Sequence, residues 1–290
     1  MSSSTSLSDI FCASCRHTAT DLAAGHKMFR CTACKAVYYC STEHQKSNWK
    51  IHKPACTSVT TSKPYIVHID FGREVSDNSP WCKTLVDSLA IPYSRTYAVA
   101  DTPAKALAIL DHPVPPKCIL FSSGEIDADG HAELRAQLRK YVEKGGRLVL
   151  GGPLCNFIAT PKIQSVLSDL GAPEWRFGGY HRTTFALNLG HPLYDALPGN
   201  STARAALPSS YSIKSVFLAG VPRGEALYQT TKDSKSESII AMMRPMIAVT
   251  DDEVAVAAKK VGEGWLAWVG DVNQEQGSTM ATLVLLGVKE

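Results

Sequence analysis

Cys12-Ala13-Ser14-Cys15, Cys31-Thr32-Ala33-Cys34, Cys40-Ser41-Thr42-Glu43-His44 and His52-Lys53-Pro54-Ala55-Cys56 set four pairs of soft ligands along one short stretch of chain. A Cys-x2-Cys pair lets two thiolates reach one ion across a tight turn, and a Cys/His pair at x3 spacing does the same from a helical turn. Zinc takes four nitrogen or sulfur donors in a tetrahedron and imposes no further geometric preference. Eight donors therefore predict two closed structural zincs with no position left for water. One such pair would say little, but four in succession fix the reading.

The run Tyr38-Tyr39-Cys40-Ser41-Thr42-Glu43-His44-Gln45, followed by Trp49, His52, Lys53 and Cys56, resembles the second half of a MYND-type zinc finger. The likeness extends to Gln45 and Trp49, which are not ligands. It departs at His44, where that family usually has cysteine, and in the long gap between Cys15 and Cys31, which a loop through Ala23-Ala24-Gly25 absorbs. The resemblance implies interleaved ligands. Cys12, Cys15, Cys40 and His44 would hold one zinc, and Cys31, Cys34, His52 and Cys56 the other. His17 and His26 are spare ligand candidates, with plain surface residues as the better reading. Such fingers bind short, often proline-rich peptides, so the resemblance also implies protein partners, with Gln45 and Trp49 on the peptide surface and Tyr38 or Tyr39 nearby.

The 290 residues, 44% hydrophobic and 20% charged, suit a globular protein with a sizeable core beside this finger. Six of the nine cysteines fall in the finger, and Cys82, Cys118 and Cys155 are scattered without a disulfide framework. That usage fits a reducing compartment, cytoplasm or nucleus. The serine-rich start lacks the basic and apolar regions of a signal peptide, and no apolar run is long enough for a bilayer. Residues 1–56 carry seven Lys/Arg against three Asp/Glu, while the remainder is nearly balanced. Lys46, Lys50 and Lys53 form a basic stripe, but no stacking platform accompanies it. A solvated helix face is the better reading, and nucleic acid is not expected as a partner.

The expected organisation is a disordered segment over 1–10, the finger over 11–57, a polar linker over 58–64 and an α/β domain over 65–290. Strand and helix signals alternate from Tyr65: strands at 65–71, 93–99, 117–121 and 147–150, with helices opened by Ser79-Pro80, Thr102-Pro103 and Thr160-Pro161 and a long one over 130–144. This predicts a mostly parallel sheet with flanking helices. After Trp175 the pattern is β-rich, with strands at 183–189, 213–218, 226–230, 246–248, 254–258 and 265–269 and a closing helix through Met280, Leu283 and Val284. The self-contained alternation suggests that this domain folds without the finger.

The step Tyr141-Val142-Glu143-Lys144-Gly145-Gly146-Arg147-Leu148-Val149-Leu150 resembles the helix-Gly-Gly-strand step of class I glutamine-amidotransferase-like folds. His191-Pro192-Leu193 and the run from Gly262 to Asp271 add to it, as in trehalose-utilisation-type relatives. The fold class implied is a flavodoxin/amidotransferase-like α/β domain. A glutaminase would need an exposed cysteine between glycines and a late histidine. Pro153 and Phe157 stand where the elbow around Cys155 wants glycine, and no histidine follows His191. Cys155 then reads as a buried structural thiol.

Asp70, Glu74, Ser122, Ser123, Gly151, Gly152 and Asp271 lie at predicted strand ends, where ligands of such sheets bind. Turn and capping residues are the favoured reading, since Ser, Asp and Gly are what turns require, with a vestigial pocket as the minor alternative. Gly178-Gly179-Tyr180-His181-Arg182 reads as a mobile loop, with anion binding as the sharper alternative. The expected protein is thus a zinc-binding adaptor, with no catalytic residues and no cofactor besides two zinc ions. The rivals are a hydrolase or transferase targeted by the finger, and a nucleic-acid-binding regulator.

Overall fold

The computed structural model describes residues 10–23, 26–72, 80–197, 200–237 and 248–288. The predicted disordered start up to residue 9, Glu74 and most of the strand proposed at 246–248 lie outside these residues.

The finger begins with a two-stranded ribbon, β1 (Phe29–Arg30) and β2 (Tyr38–Tyr39), paired antiparallel. Helix α1 (Thr42–Thr61) follows. The Ser41 hydroxyl caps it by accepting from the His44 N–H at 3.1 Å. The polar stretch read as a linker from residue 58 is helical as far as Thr61. Threonine is a poor helix former, yet here Thr57, Thr60 and Thr61 turn their hydroxyls back onto the carbonyls of Lys53, Cys56 and Thr57, four residues earlier. The helix ends at Ser62, which takes a left-handed conformation at φ 56°.

Beyond it come β3 (Ile66–Ile69), α2 (Pro80–Ala90), β4 (Tyr97–Ala100), α3 (Pro103–Leu110), β5 (Cys118–Phe121), α4 (Ala132–Glu143), β6 (Arg147–Leu150), α5 (Leu154–Phe157) and α6 (Ile163–Leu170). The later chain supplies β7 (Arg176–Leu187), α7 (Asn200–Ala205), β8 (Ser210–Ala219), β9 (Ala226–Gln229), β10 (Val254–Val261), β11 (Gly264–Val269) and α8 (Gln276–Leu286). The sheet runs β4-β3-β5-β6-β11-β10-β8-β7-β9. Its first five strands are parallel, with β11 beside β6, and β10 then turns the sheet antiparallel. Because β10 also pairs with β9, strands β10, β8, β7 and β9 close a small antiparallel ring. The domain is therefore α/β, with a β-rich second half.

Strand periodicity sorts the core onto two faces. Val67, Ile69, Ile119, Phe121, Leu148 and Leu150 point to one, with α3, α4 and α6. Ile66, Cys118, Leu120 and Val149 point to the other, with α2 and α8. The Gly145-Gly146 step ends α4, and a Cβ on Gly146 would stand 2.2 Å from the Tyr141 ring, so only glycine lets that ring close over the turn.

The finger is docked on this domain. Ala55 of α1 is fully buried in the first core, and Ile51 packs against it. Val114, from the loop after α3, packs against both that core and the finger's own. Arg16 Nη1 donates to the Asp111 carbonyl at 2.9 Å.

Candidate metal centres

The eight predicted ligands converge as two groups of four. The ligand atoms of Cys12, Cys15, Cys40 and His44 lie within 4.8 Å of one another, and so do those of Cys31, Cys34, His52 and Cys56. A tetrahedron with zinc–sulfur bonds of about 2.3 Å has a sulfur–sulfur edge of roughly 3.8 Å. The Cys15–Cys40 and Cys31–Cys56 sulfurs stand 3.6 and 3.8 Å apart, and Cys34 Sγ stands 3.6 Å from His52 Nε2. His44 presents Nδ1, 3.9 Å from Cys12 Sγ and 3.0 Å from Cys40 Sγ. The donor set fits two zinc ions, and the finger holds two.

Local geometry explains the pairing. Each Cys-x2-Cys turn closes with a backbone bond, from Arg16 N to Cys12 O and from Lys35 N to Cys31 O. Arg16 and Lys35 take positive φ to allow it, at 66° and 57°. Helix α1 serves both sites. His44 sits on its first turn and His52 and Cys56 lie two turns on, one helical turn apart.

Electrostatics favours metal at both. Burial acts to raise the Cys12 and Cys31 thiols, but backbone amides of the turns outweigh it and both are lowered. Cys40 and Cys56 go the other way, each pushed up to about 12 by desolvation and then by neighbouring cysteines. A divalent cation removes that repulsion and lets all the thiols ionise. Burial, then the neighbouring His112, lowers His52 to about 4, which keeps its imidazole neutral and able to ligate.

Sequence reasoning missed His112. Its Nε2 lies 3.2 Å from His52 Nδ1, and its own Nδ1 lies 3.0 Å from the Val114 carbonyl. With Nε2 turned to Cys34, the His52 Nδ1 faces His112 Nε2, and the His112 Nδ1 is held in turn by the amide and carbonyl of Val114. This is the outer partner that zinc-bound histidines use to fix ring orientation. No local signal marks it, since it stands 60 residues away in the other domain.

His17 and His26 are exposed and belong to neither group. Gln45 is half-buried, while Trp49, one turn along α1, is 43% exposed. Tyr39 is fully buried and donates to Asn48 Oδ1 at 3.0 Å, so it is finger core rather than peptide surface. Tyr38 is half-buried beneath the Arg30 guanidinium, 4.8 Å from its ring centre. Lys46, Lys50 and Lys53 are all exposed.

In the α/β domain, Cys155 is buried, with Sγ 3.2 Å from the Val269 carbonyl, and its thiol is raised well above the ordinary value by burial. Asp271 caps the turn into α8, accepting from the Asn273, Gln274 and Glu275 amides. The 178–182 segment is not a loop but part of β7. The ring of Phe217 lies where side chains on Gly178 and Gly179 would stand, which is why glycines interrupt a strand there. Nor are its basic side chains turned to a ligand. His181 faces Glu253 at 2.9 Å with both side chains buried, and Arg182 is paired with Glu275.

Residues 12–56 match the MYND finger family. A SET and MYND domain-containing protein of Dictyostelium discoideum is 46% identical over 52 residues, 18% of this chain and 10% of that protein, so the chain spans a tenth of the relative's length. Among solved structures, a ThuA-like protein from Bacteroides uniformis is 12% identical, covering 77% of this chain and 88% of its own, with a TM-score of 0.45. A β-galactosidase from Bacillus circulans sp. alkalophilus is 13% identical over 77% of this chain and 30% of its own, with a TM-score of 0.41. The amidotransferase likeness of the second domain gains nothing from these matches. The N-terminal unit of this chain, residues 12–56, is a MYND finger with two four-ligand groups for two zinc ions.

Proposed function

We propose that the protein is an adaptor of the cytoplasm or nucleus, whose finger captures short proline-containing peptides and whose α/β domain works without catalysis. The observation that carries this reading is Trp49. It is a large aromatic, 43% exposed, on a helix anchored by metal at both ends of its finger segment. Its ring meets the zinc-ligating His52 edge-on at 5.9 Å, so its orientation is set before any ligand arrives. An extended proline-rich segment loses little conformational freedom on docking against such an aromatic. Gln45, one turn earlier on the same helix, is able to bond a peptide backbone, and Tyr38 borders the finger's surface.

The parallel strands run in the order second, first, third, fourth, fifth along the chain, which is a doubly wound order and supports an amidotransferase-like architecture. Burial of Cys155 supports the absence of glutaminase chemistry. Fluorescence polarisation against a proline-containing peptide library tests the reading. Trp49→Ala should retain two zincs and weaken binding by about 2 kcal/mol, as for an aromatic anchor. Peptide binding equal in wild type and Trp49→Ala would sink it.

A further inference from the structure

A cavity of about 690 Å³ opens at the carboxyl ends of β3, β4 and β5, under α2. That volume lies within the range of small-molecule sites, roughly 300–1,000 Å³. Its position is where open α/β sheets bind ligands. Strand alternation sends His68 and Asp70 of the β3 segment to the α2 side, together with Tyr97 and Val99 of β4 and with Ser122 after β5. The accessible apolar surface comes from Val86 and Val99.

His68 is 6% exposed and Ser122 2%. The imidazole places Nε2 at 2.7 Å from Ser122 Oγ and Nδ1 at 3.0 Å from the Tyr97 hydroxyl. A leucine would fill this strand position at lower desolvation cost. The polar chain through Tyr97, His68 and Ser122, set into an otherwise apolar sheet face, lines this cavity.

Charge selects the class of molecule. Asp87 and Asp101 on the wall are paired with Lys83 and Lys105 at 2.7 and 3.3 Å. Asp70 has no cationic partner among the described residues, and its Oδ1 accepts only the Gly72 amide at 3.1 Å. Its field reaches the cavity wall. Burial first, and the Asp70 charge after it, push the Cys82 thiol up to about 11. Phosphates and carboxylates are repelled by such a wall. An ammonium group supplies the missing counter-charge, and an aliphatic body covers Val86 and Val99.

We propose that this cavity binds a small organic cation, an alkylamine or polyamine, with Asp70 as its counter-charge and the Tyr97–His68–Ser122 chain bounding its polar end. The site is independent of the peptide surface on the finger. Isothermal titration calorimetry on zinc-loaded, full-length protein at physiological salt tests it, with putrescine and spermidine as probes, glucose as a neutral polyol and glucose 6-phosphate as an anion. One of the amines should bind at one site. Asp70→Asn, which keeps the shape, should weaken that binding roughly tenfold or more, as for loss of a charge-assisted bond. Asp169→Asn, on α6 and outside the cavity lining, should leave it nearly unchanged. Val99→Trp, which fills the cavity from β4, should abolish it, and this variant decides the matter if Asp70→Asn fails to fold. Failure of both amines to bind would overturn the proposal. So would binding that survives Asp70→Asn or Val99→Trp, or preference for either sugar.

Discussion

His44 is the ligand position at which this finger departs from the usual cysteine, and the geometry gives it a reason to work. Its Nδ1 reaches the same four-atom group as three thiols because Ser41 caps α1 through the His44 amide, fixing the first helical turn. Imidazole binds zinc about as readily as thiolate. His44→Cys is therefore expected to keep two zincs per chain and His44→Ala to keep one, read by elemental analysis of metal-replete protein. A full complement in His44→Ala would hand the position to His17 or His26. The ligand residues were legible because a shared ion forces short, regular spacings into the sequence. The outer partner His112 was not legible, because a hydrogen bond to a ligand's far nitrogen can come from anywhere the fold brings close. The same holds for His68, Tyr97 and Ser122. They come from three strands, and each alone looks like an ordinary strand or turn residue.

Helix α1 is the element whose extent the sequence understated. The Thr57–Thr61 run has the composition of a linker, and only the packing of Ile51 and Ala55 against the sheet makes continuing the helix worthwhile. The parallel half of the sheet was far easier to read, since buried parallel strands are short apolar runs and Thr102-Pro103 opens α3 as its spacing requires. In the β-rich half, the glycines over Phe217 hid the start of β7, which the sequence placed at 183 rather than 176. Two measurements test α1 as a unit. Ser41→Ala should destabilise the finger by about 1 kcal/mol, seen as a lower midpoint in chelator or urea titrations. Ala55→Leu should overpack the fully buried contact with the sheet and cost roughly 1–3 kcal/mol in urea unfolding, with zinc content unchanged at two.

At the scale of the whole molecule, the finger and the sheet share structure that the sequence suggested they would not. The finger's own buried core is little more than its cysteines, Val37 and Tyr39, so zinc must offset the ordering of its backbone, at about 10 kcal/mol or more per ion. A chelator is expected to unfold the finger and end peptide binding together. Because Ala55, Ile51 and the His52–His112 contact go with it, the sheet's thermal transition should also fall, by roughly 5 °C if about 2 kcal/mol of shared packing is lost. Calorimetry with and without chelator reads both effects, and an unmoved second transition would show the domains to be energetically separate. The His52–His112 bond has a further consequence during synthesis. The last zinc ligand is made at residue 56, but His112, which is 60 residues beyond its partner His52, follows several seconds later at about 5–20 residues per second. For that interval the nascent finger can already be loaded with metal while the apolar side of α1 has nothing to rest on. The newborn chain passes through a stage in which a finished module displays an unfinished docking face, and chaperones have a timed opening to engage it before the sheet arrives.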